Sequence, residues 1–507
     1  MVTAAIIIRF AEPINDGDIW FHIAYGRYFL ENNALTLDHS IFSWTPADNK
    51  TIYCAWIPQT ALYLLHQAGG EYAFYALRYV FIMVFLLMCF SLVKGTIARS
   101  LPHFMLIALV GLLMSYAGLR IKAELFSFIL MASMAWIWFW IKHKQDKARY
   151  LFYLYPLLML IWVNSHGGFL FGLVFLYSVF IGELINRFAK SSESLDDTSW
   201  KHLFISTLLS TVAICITPYG IQYPIQLFNN LVIHPEELKR HIQTIAEYQS
   251  IFFTQSAHLH FVDYLVFSGG ILLMLLYSRF KAHGTDWAIL LVNAVFMLLY
   301  IRFLRTTYFW AVIFSLSAVY LMGKIFLEDQ DVVKGKSLKT AFNSIVVVLL
   351  VFFSVRAVYE SFCLPTIGFN VNYVSPKSEA EYIKKNFPNS ILGNDYSCGS
   401  YLLWTFGPVK KVFIDARYFP YSSWYDTESR FENSQDRELI ELYLLQYACD
   451  VWCIAYNTPL LDYFISSPGW KLVYYGPSAC VFIPSQTGSR IVRTYSESIQ
   501  EVGFNQA

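Results

Sequence analysis

Along residues 72–359, apolar runs long enough to cross about 30 Å of hydrocarbon at 1.5 Å per residue recur, each broken by a short polar stretch. About eleven such runs fit when the short N-terminal run 2–11 is counted first. From about Pro365 the pattern changes. Apolar residues now come in short bursts, SILGN, KKVFID, DVWCIA, WKLVYYG and ACVFI, between polar helical stretches such as SEAEYIKKNF and DRELIELYLLQY. Short strands alternating with helices predict a small α/β domain. The expected fold is an α-helical polytopic membrane protein, with a transmembrane domain over 1–360 and an α/β domain over 361–507. The latter, at roughly 140 residues, is large enough to bury a core of its own.

Lys and Arg set the orientation. Lys94 and Arg99, then Lys142, Lys144, Lys147 and Arg149, then Arg187, Lys190 and Lys201, then Arg279 and Lys281, then Lys334, Lys336 and Lys339 fall in alternate connections. The positive-inside rule makes those loops cytoplasmic. Loops 12–71, 119–124, 164–168, 218–261 and 302–307, with everything after about 360, then face the extracytoplasmic side. Run 2–11 is short for a span and contains Arg9. A cleaved signal peptide is the competing reading, against which stand the lack of a basic n-region and of a small-residue cleavage site.

Composition agrees with a lipid solvent. Of 507 residues, 56% are hydrophobic, 18% aromatic and only 14% charged, where soluble domains carry roughly 25% charge. A net charge of +1 without a basic stripe gives no sign of a nucleic-acid partner. Cys398, Cys449, Cys453 and Cys480 lie in the C-terminal part, where an oxidising compartment would permit pairing. Cys449 and Cys453 lack the second pair that a metal site of this spacing needs.

The chemistry gathers at the outer ends of the spans. NDGDIWFHIAYGRYFL supplies Asp16, Asp18, His22 and Arg27; the 119–124 connection supplies Arg120, Lys122 and Glu124; WVNSHGGF supplies Asn164 and His166; IRFLRTTYFW supplies Arg302 and Arg305. Ionisable groups at helix ends in lipid are costly, and mark function or snorkelling. Carboxylates at such a mouth can deprotonate an acceptor or hold a divalent cation, Mg or Mn. Arg and Lys at the same depth can grip a phosphate whose lipid tail lies in the bilayer. Transfer of a sugar from a polyprenyl phosphate needs such a set. Asp16 and Asp18 are the catalytic candidates, Arg120, Lys122, Arg302 and Arg305 the donor-phosphate candidates, and His22, Arg27, Asn164 and His166 the substrate-binding candidates.

Structural readings stand beside these. Asp18 suits the N-cap of a helix starting at Ile19, which leaves Asp16 unexplained. His166 can be a core histidine at a helix break eased by two glycines. Arg302 and Arg305, three apart, share one helical face and can snorkel together. Arg120 and Lys122 can pair with Glu124. His258 and His260 are two metal ligands without a third. HPEELKRHIQTIAEYQS reads as a polar surface helix from Pro235, a gate or a spacer. Asp415 and Arg417 follow the strand KKVFI, where open α/β sheets hold ligands, and can equally be an ion pair. Trp20, Trp56 and Tyr116 can stack on a sugar or belong to an interfacial belt.

NDGDIWFHIAYGRYFL, DHSIFSWT, IPQTALYLLHQAGG, WVNSHGGFLFG, NDYSCGSYLLW and KKVFIDARY, on a frame of many spans, an acidic first outer loop and a C-terminal α/β domain, resemble the GT-C superfamily of membrane glycosyltransferases. That group includes protein O-mannosyltransferases, aminoarabinose transferases and the catalytic subunit of oligosaccharyltransferase; the likeness is greatest to a poorly described bacterial subgroup. The resemblance implies hexosyl or pentosyl transfer from a polyprenyl-phosphate-linked donor to a protein, glycan or lipid acceptor. It implies inversion, a first-loop aspartate, Asp16 or Asp18, as base or metal ligand, and a bacterial inner or cell membrane with the site outside. A lipid-linked glycan ligase would use the same cations and rely less on the aspartates. A transporter would place its ionisable groups near mid-membrane.

Overall fold

The computed structural model describes residues 2–14, 16–45, 52–93, 119–144, 148–230, 248–252, 269–270, 285–327, 336–363, 368–369, 375–417, 431–447, 449–456 and 458–485. Two units emerge, Met1–Glu12 with Phe74–Gly368 and Pro13–Ala73 with Phe369–Ala507.

The first unit is helical. By length and composition, four described helices can cross a membrane, Trp56–Leu92, Glu124–His143, Phe169–Phe188 and Leu304–Leu321. The runs expected within 94–118 and 271–284 lie outside the described residues. Helix Asp197–Ala213, capped by Asp196 on the Thr198 and Ser199 amides, turns Ser199, Ser206, Thr207 and Ser210 inward. It exposes Phe204, Ile205, Leu208 and Val212. Small polar residues let helices approach closely and apolar ones meet lipid, the pattern of an integral membrane protein.

Helix Trp56–Val93 is broken at Gly69 and at Gly70, whose φ of 58° a side chain would resist. The break ends the first-loop helix and starts the long span, and the unit division follows between Ala73 and Phe74.

At one end this unit departs from the expected reading. Lys142, placed by sequence among loop charges, is buried, with Nζ 2.7 Å from Glu183 and 2.9 Å from Asp286. Glu183 also accepts from Trp138 Nε1 at 3.2 Å, and Asn186 bridges both carboxylates at 3.2 and 3.1 Å. Two carboxylates stabilise an ammonium that loop position alone does not reveal. This cluster lies at the opposite end of helix Glu124–Lys144 from Glu124, about 27 Å away at 1.5 Å per residue, close to the thickness of the hydrocarbon core.

The second unit holds a four-stranded sheet. Strands β1 (Leu392–Asn394), β2 (Val451–Ala455), β3 (Trp470–Tyr475) and β4 (Ala479–Pro484) run in the order β1-β2-β4-β3. The β1–β2 pair is parallel and the other two are antiparallel. The polar stretches form helices Lys377–Asn386 and Arg437–Gln446 as the pattern predicts. KKVFI does not join the sheet. Val412 makes a single bridge to Ser43, with its amide on the Phe42 carbonyl at 3.0 Å.

Fully buried β2 sends Val451, Cys453 and Ala455 into one core layer and Trp452 and Ile454 into the other. The first layer is completed by Phe21, Ala24, Tyr25, Phe29 and Phe42, so the unit is built from both ends of the chain. Cys398, Cys449, Cys453 and Cys480 are unbridged.

Candidate functional site

The expected residues fall in two units: Asp16, Asp18, His22 and Arg27 in the second, and Arg120, Lys122, Asn164, His166, Arg302 and Arg305 in the first.

In the first unit a charged cluster forms at the ends of three helical segments. Arg305 Nε lies 3.3 Å from Glu124 Oε1, and its Nη1 donates to the Tyr248 hydroxyl. Lys122 Nζ is 3.8 Å from the other Glu124 oxygen, an ion pair beyond hydrogen-bond range. Tyr308 hydrogen-bonds Glu124 as well. Arg305 Nη2 points to His166 Nε2 at 3.3 Å. On the ring's other side, Nδ1 meets the Ser127 hydroxyl at 3.0 Å and the Gly168 amide at 3.1 Å. Ser127 in turn accepts from Trp162 Nε1 at 2.8 Å.

This seat needs the second glycine of NSHGG. A Cβ on Gly168 would stand 2.8 Å from both His166 Nδ1 and Ser127 Oγ. Burial pushes the His166 pKa down to about 4; the Glu124 carboxylate opposes this, while Arg305 and Lys122 add to it. The ring is therefore neutral at pH 7 and has one lone pair, yet N–H donors face both nitrogens. If Nδ1 accepts from Gly168, Nε2–H confronts the Arg305 guanidinium; an anion between the two would accept from both.

Arg302 and Arg305 do not share a helical face. Helix Trp287–Arg302 ends at Arg302, Phe303 is extended, and Arg305 sits in a 3-10 turn, Leu304–Thr306, before the next helix. Arg302 is exposed, its guanidinium over the Phe303 ring at 4.8 Å. Arg120 is also exposed. Asn164 ties the helix break instead, donating to the carbonyls of Leu160 at 2.9 Å and Ile216 at 2.8 Å. Among the described residues the cluster thus unites Lys122, Glu124, His166 and Arg305, joined by Ser127, Tyr248 and Tyr308, which sequence reasoning missed. Ser127, three residues after Glu124 and so on its helical face, was findable; Tyr248 carried no signal.

In the second unit the aspartates exchange their expected parts. Helix Asp18–Asn32 has Gly17 at its N-cap, and Asp16 Oδ1 accepts the Asp18 amide at 3.1 Å. Asp16 therefore makes the local turn bond expected of Asp18. Asp18 occupies the first turn, where the helix dipole favours a carboxylate.

Behind them, His22 Nδ1 accepts from Gln59 Nε2 at 3.2 Å within the core. Arg27 donates to the carbonyls of Trp404, at 3.1 Å, and Gly407, and its guanidinium lies 4.5 Å over the Trp404 ring. Burial lowers its pKa against the pull of Glu31 and Tyr63. Trp20 is buried, donating to Ser375 and meeting Tyr401 edge-on, so its face is not open to a sugar. Tyr116, His258 and His260 lie outside the described residues.

Asp415 and Arg417 are fully buried and bidentate, at 2.6 and 2.7 Å. Arg417 continues to the Tyr25 hydroxyl at 2.6 Å, which reaches His39 Nδ1 at 3.0 Å. Their ion pair pins the first-loop helix. Among the described residues no group of three His, Cys, Asp or Glu is placed to hold a metal. Asp16 and Asp18 offer two carboxylates, short of the usual protein ligand set.

No protein-family model and no curated protein matches the chain. Solved structures do. The Archaeoglobus fulgidus oligosaccharyltransferase, tethered to an acceptor peptide containing the NVT sequon, is similar at a TM-score of 0.56 and 10% identity, over 90% of this chain and 68% of that one. ArnT from Cupriavidus metallidurans is similar at 0.55 in the apo state and 0.56 bound to undecaprenyl phosphate. Both are 12% identical, over 96% of this chain and 98% of theirs. The chain has the fold of the GT-C membrane glycosyltransferases.

Proposed function

We propose that the protein is a membrane glycosyltransferase that moves a hexosyl or pentosyl group from a polyprenyl-phosphate-linked donor to a protein, glycan or lipid acceptor. The observation that carries this reading is the cluster of Lys122, Arg305, Glu124 and His166. Among its described groups it holds two cations against one carboxylate, at the end of a span, in a fold whose ArnT example binds undecaprenyl phosphate.

In this reading a phosphate oxygen takes the Arg305 N–H now turned to His166. The ring then keeps its proton on Nε2 and donates it to the same phosphate. Lys122 adds a point charge, and Glu124 holds the guanidinium plane in place. Asp16 or Asp18 is the base that removes the acceptor proton as the sugar inverts. Mg or Mn at these aspartates belongs to the family expectation; the described donor set does not complete a metal site, and no step is routed through one. The reading also has about eleven spans, an outward-facing site and C-terminal part, and a bacterial inner or cell membrane, as the Lys and Arg pattern suggests.

The test is binding of undecaprenyl phosphate to nanodisc-embedded protein by native mass spectrometry, wild type against Arg305→Ala. Saturable binding lost in the variant supports the reading. Equal binding in both moves the phosphate elsewhere and favours a glycan ligase or transporter.

A further inference from the structure

Of the five cysteines in the second unit, the four after residue 369 allow three full pairings by sequence, and the structure separates them. Cys398 and Cys453 belong to one core layer, Cys449 and Cys480 to the other. Their thiols lie close enough to perturb one another's titration. Their backbones are held together too. Cys453 is paired with Asn394 in the parallel β1–β2 ladder, and the Asp395 amide reaches the Cys453 carbonyl at 3.4 Å. The Asp395 carboxylate then accepts the Cys398 amide at 2.8 Å and the Ala455 amide. One side chain thus clamps the helix turn carrying Cys398 against the strand carrying Cys453.

We infer that Cys398 and Cys453 are the site of a structural disulfide, formed by exchange with a small-molecule disulfide, while Cys449 and Cys480 remain thiols. The bond would close the loop from 398 to 453 and lock the start of helix Tyr396–Phe406 to the central strand. The exchange balances as two steps. The Cys453 thiolate attacks one sulfur of oxidised glutathione, forming a mixed disulfide and releasing one glutathione thiolate. The Cys398 thiolate then attacks the Cys453 sulfur and expels the second. Two protein thiols have lost two electrons and two protons, and one glutathione disulfide has become two thiols.

Burial raises both thiols, and Asp395 raises them further, so exchange quickens as pH rises. Both side chains are fully buried, so exchange follows local opening or accompanies folding.

The experiment uses the full chain in detergent micelles. It is incubated with oxidised glutathione at mildly alkaline pH in just enough urea to open the unit, returned to buffer, then unfolded with a maleimide and mapped by peptide mass spectrometry. The expected result is a linked Cys398–Cys453 peptide pair, with maleimide on Cys449 and Cys480. Maleimide on Cys398 and Cys453, or any other pairing, overturns the inference. A second readout follows the melting of this unit. Oxidation should raise it by roughly 5–10 °C, reversed by reductant. Cys398→Ser should melt alike in both conditions. A wild-type melt indifferent to oxidant refutes the lock.

Discussion

Arg305 Nε lies 3.3 Å from Glu124 Oε1, joining positions 181 residues apart at the ends of two membrane helices. The pair gives the guanidinium a fixed plane, while the Lys122 ammonium leaves the group a positive surplus among its described members.

Arg305→Ala should therefore weaken polyprenyl-phosphate binding by roughly 10–100-fold, the worth of a charge-assisted hydrogen bond. Arg120→Ala and Arg302→Ala, at exposed positions, should stay within about twofold. Affinity in nanodiscs is the measurement.

His166 gives a pH signature. Its folded pKa of about 4 lies below the ordinary 6.5, so between those values the unfolded chain binds the extra proton. Stability from this group is complete above about pH 6.5 and falls as pH drops toward 4, by on the order of 3 kcal/mol in all. His166→Gln should flatten that part of the melting-versus-pH curve.

Asp16→Asn keeps the side-chain oxygen that accepts the Asp18 amide and removes only charge, and Asp18→Asn removes only a first-turn charge. Both variants should melt within a few degrees of wild type. Whichever aspartate is the base should lose roughly 10²–10⁴-fold in turnover with a polyprenyl-phosphate sugar. If neither changes turnover, the base assignment fails.

Lys142→Met leaves Glu183 and Asp286 facing each other without their cation. A loss of about 3–5 kcal/mol is expected, read as a lower melting temperature in detergent. Adding Glu183→Gln should recover part of it.

A fragment spanning 369–485 lacks Phe21, Tyr25, Phe29 and Phe42, which fill its core layer. It should show no cooperative thermal transition by circular dichroism, and coexpression of residues 13–73 should restore one.

Local signals carried much of the fold. DVWCIA and ACVFI are continuous apolar runs that make buried strands, and DRELIELYLLQY has helical periodicity; all three are found. KKVFI has the same strand composition, yet its partner, Ser43, lies far away in sequence, so composition could not say which strand it would meet. Arg302 and Arg305 were misread because neither Gly nor Pro marks the extended Phe303 between them. Of the cluster, His166, Lys122, Glu124 and Arg305 stand out in the sequence as residue types. Its wiring does not, because the approach of Arg305 to Glu124 and Tyr248 joins segments far apart in sequence and arises only through packing.

Helix Asp18–Asn32 buries Ile19, Trp20, Phe21, Ile23, Ala24 and Tyr25, in a unit completed only by residues after 369. The ribosome delivers this helix before the intervening spans and its core partners after them. At the usual pace of synthesis the interval is on the order of tens of seconds, during which the intervening spans must be inserted. The helix waits with an unsatisfied apolar face, so the two segments can close on each other only after the residues beyond 369 have been made. A premature stop soon after residue 369 should therefore leave inserted spans with an orphaned first loop, a natural target for quality-control proteases.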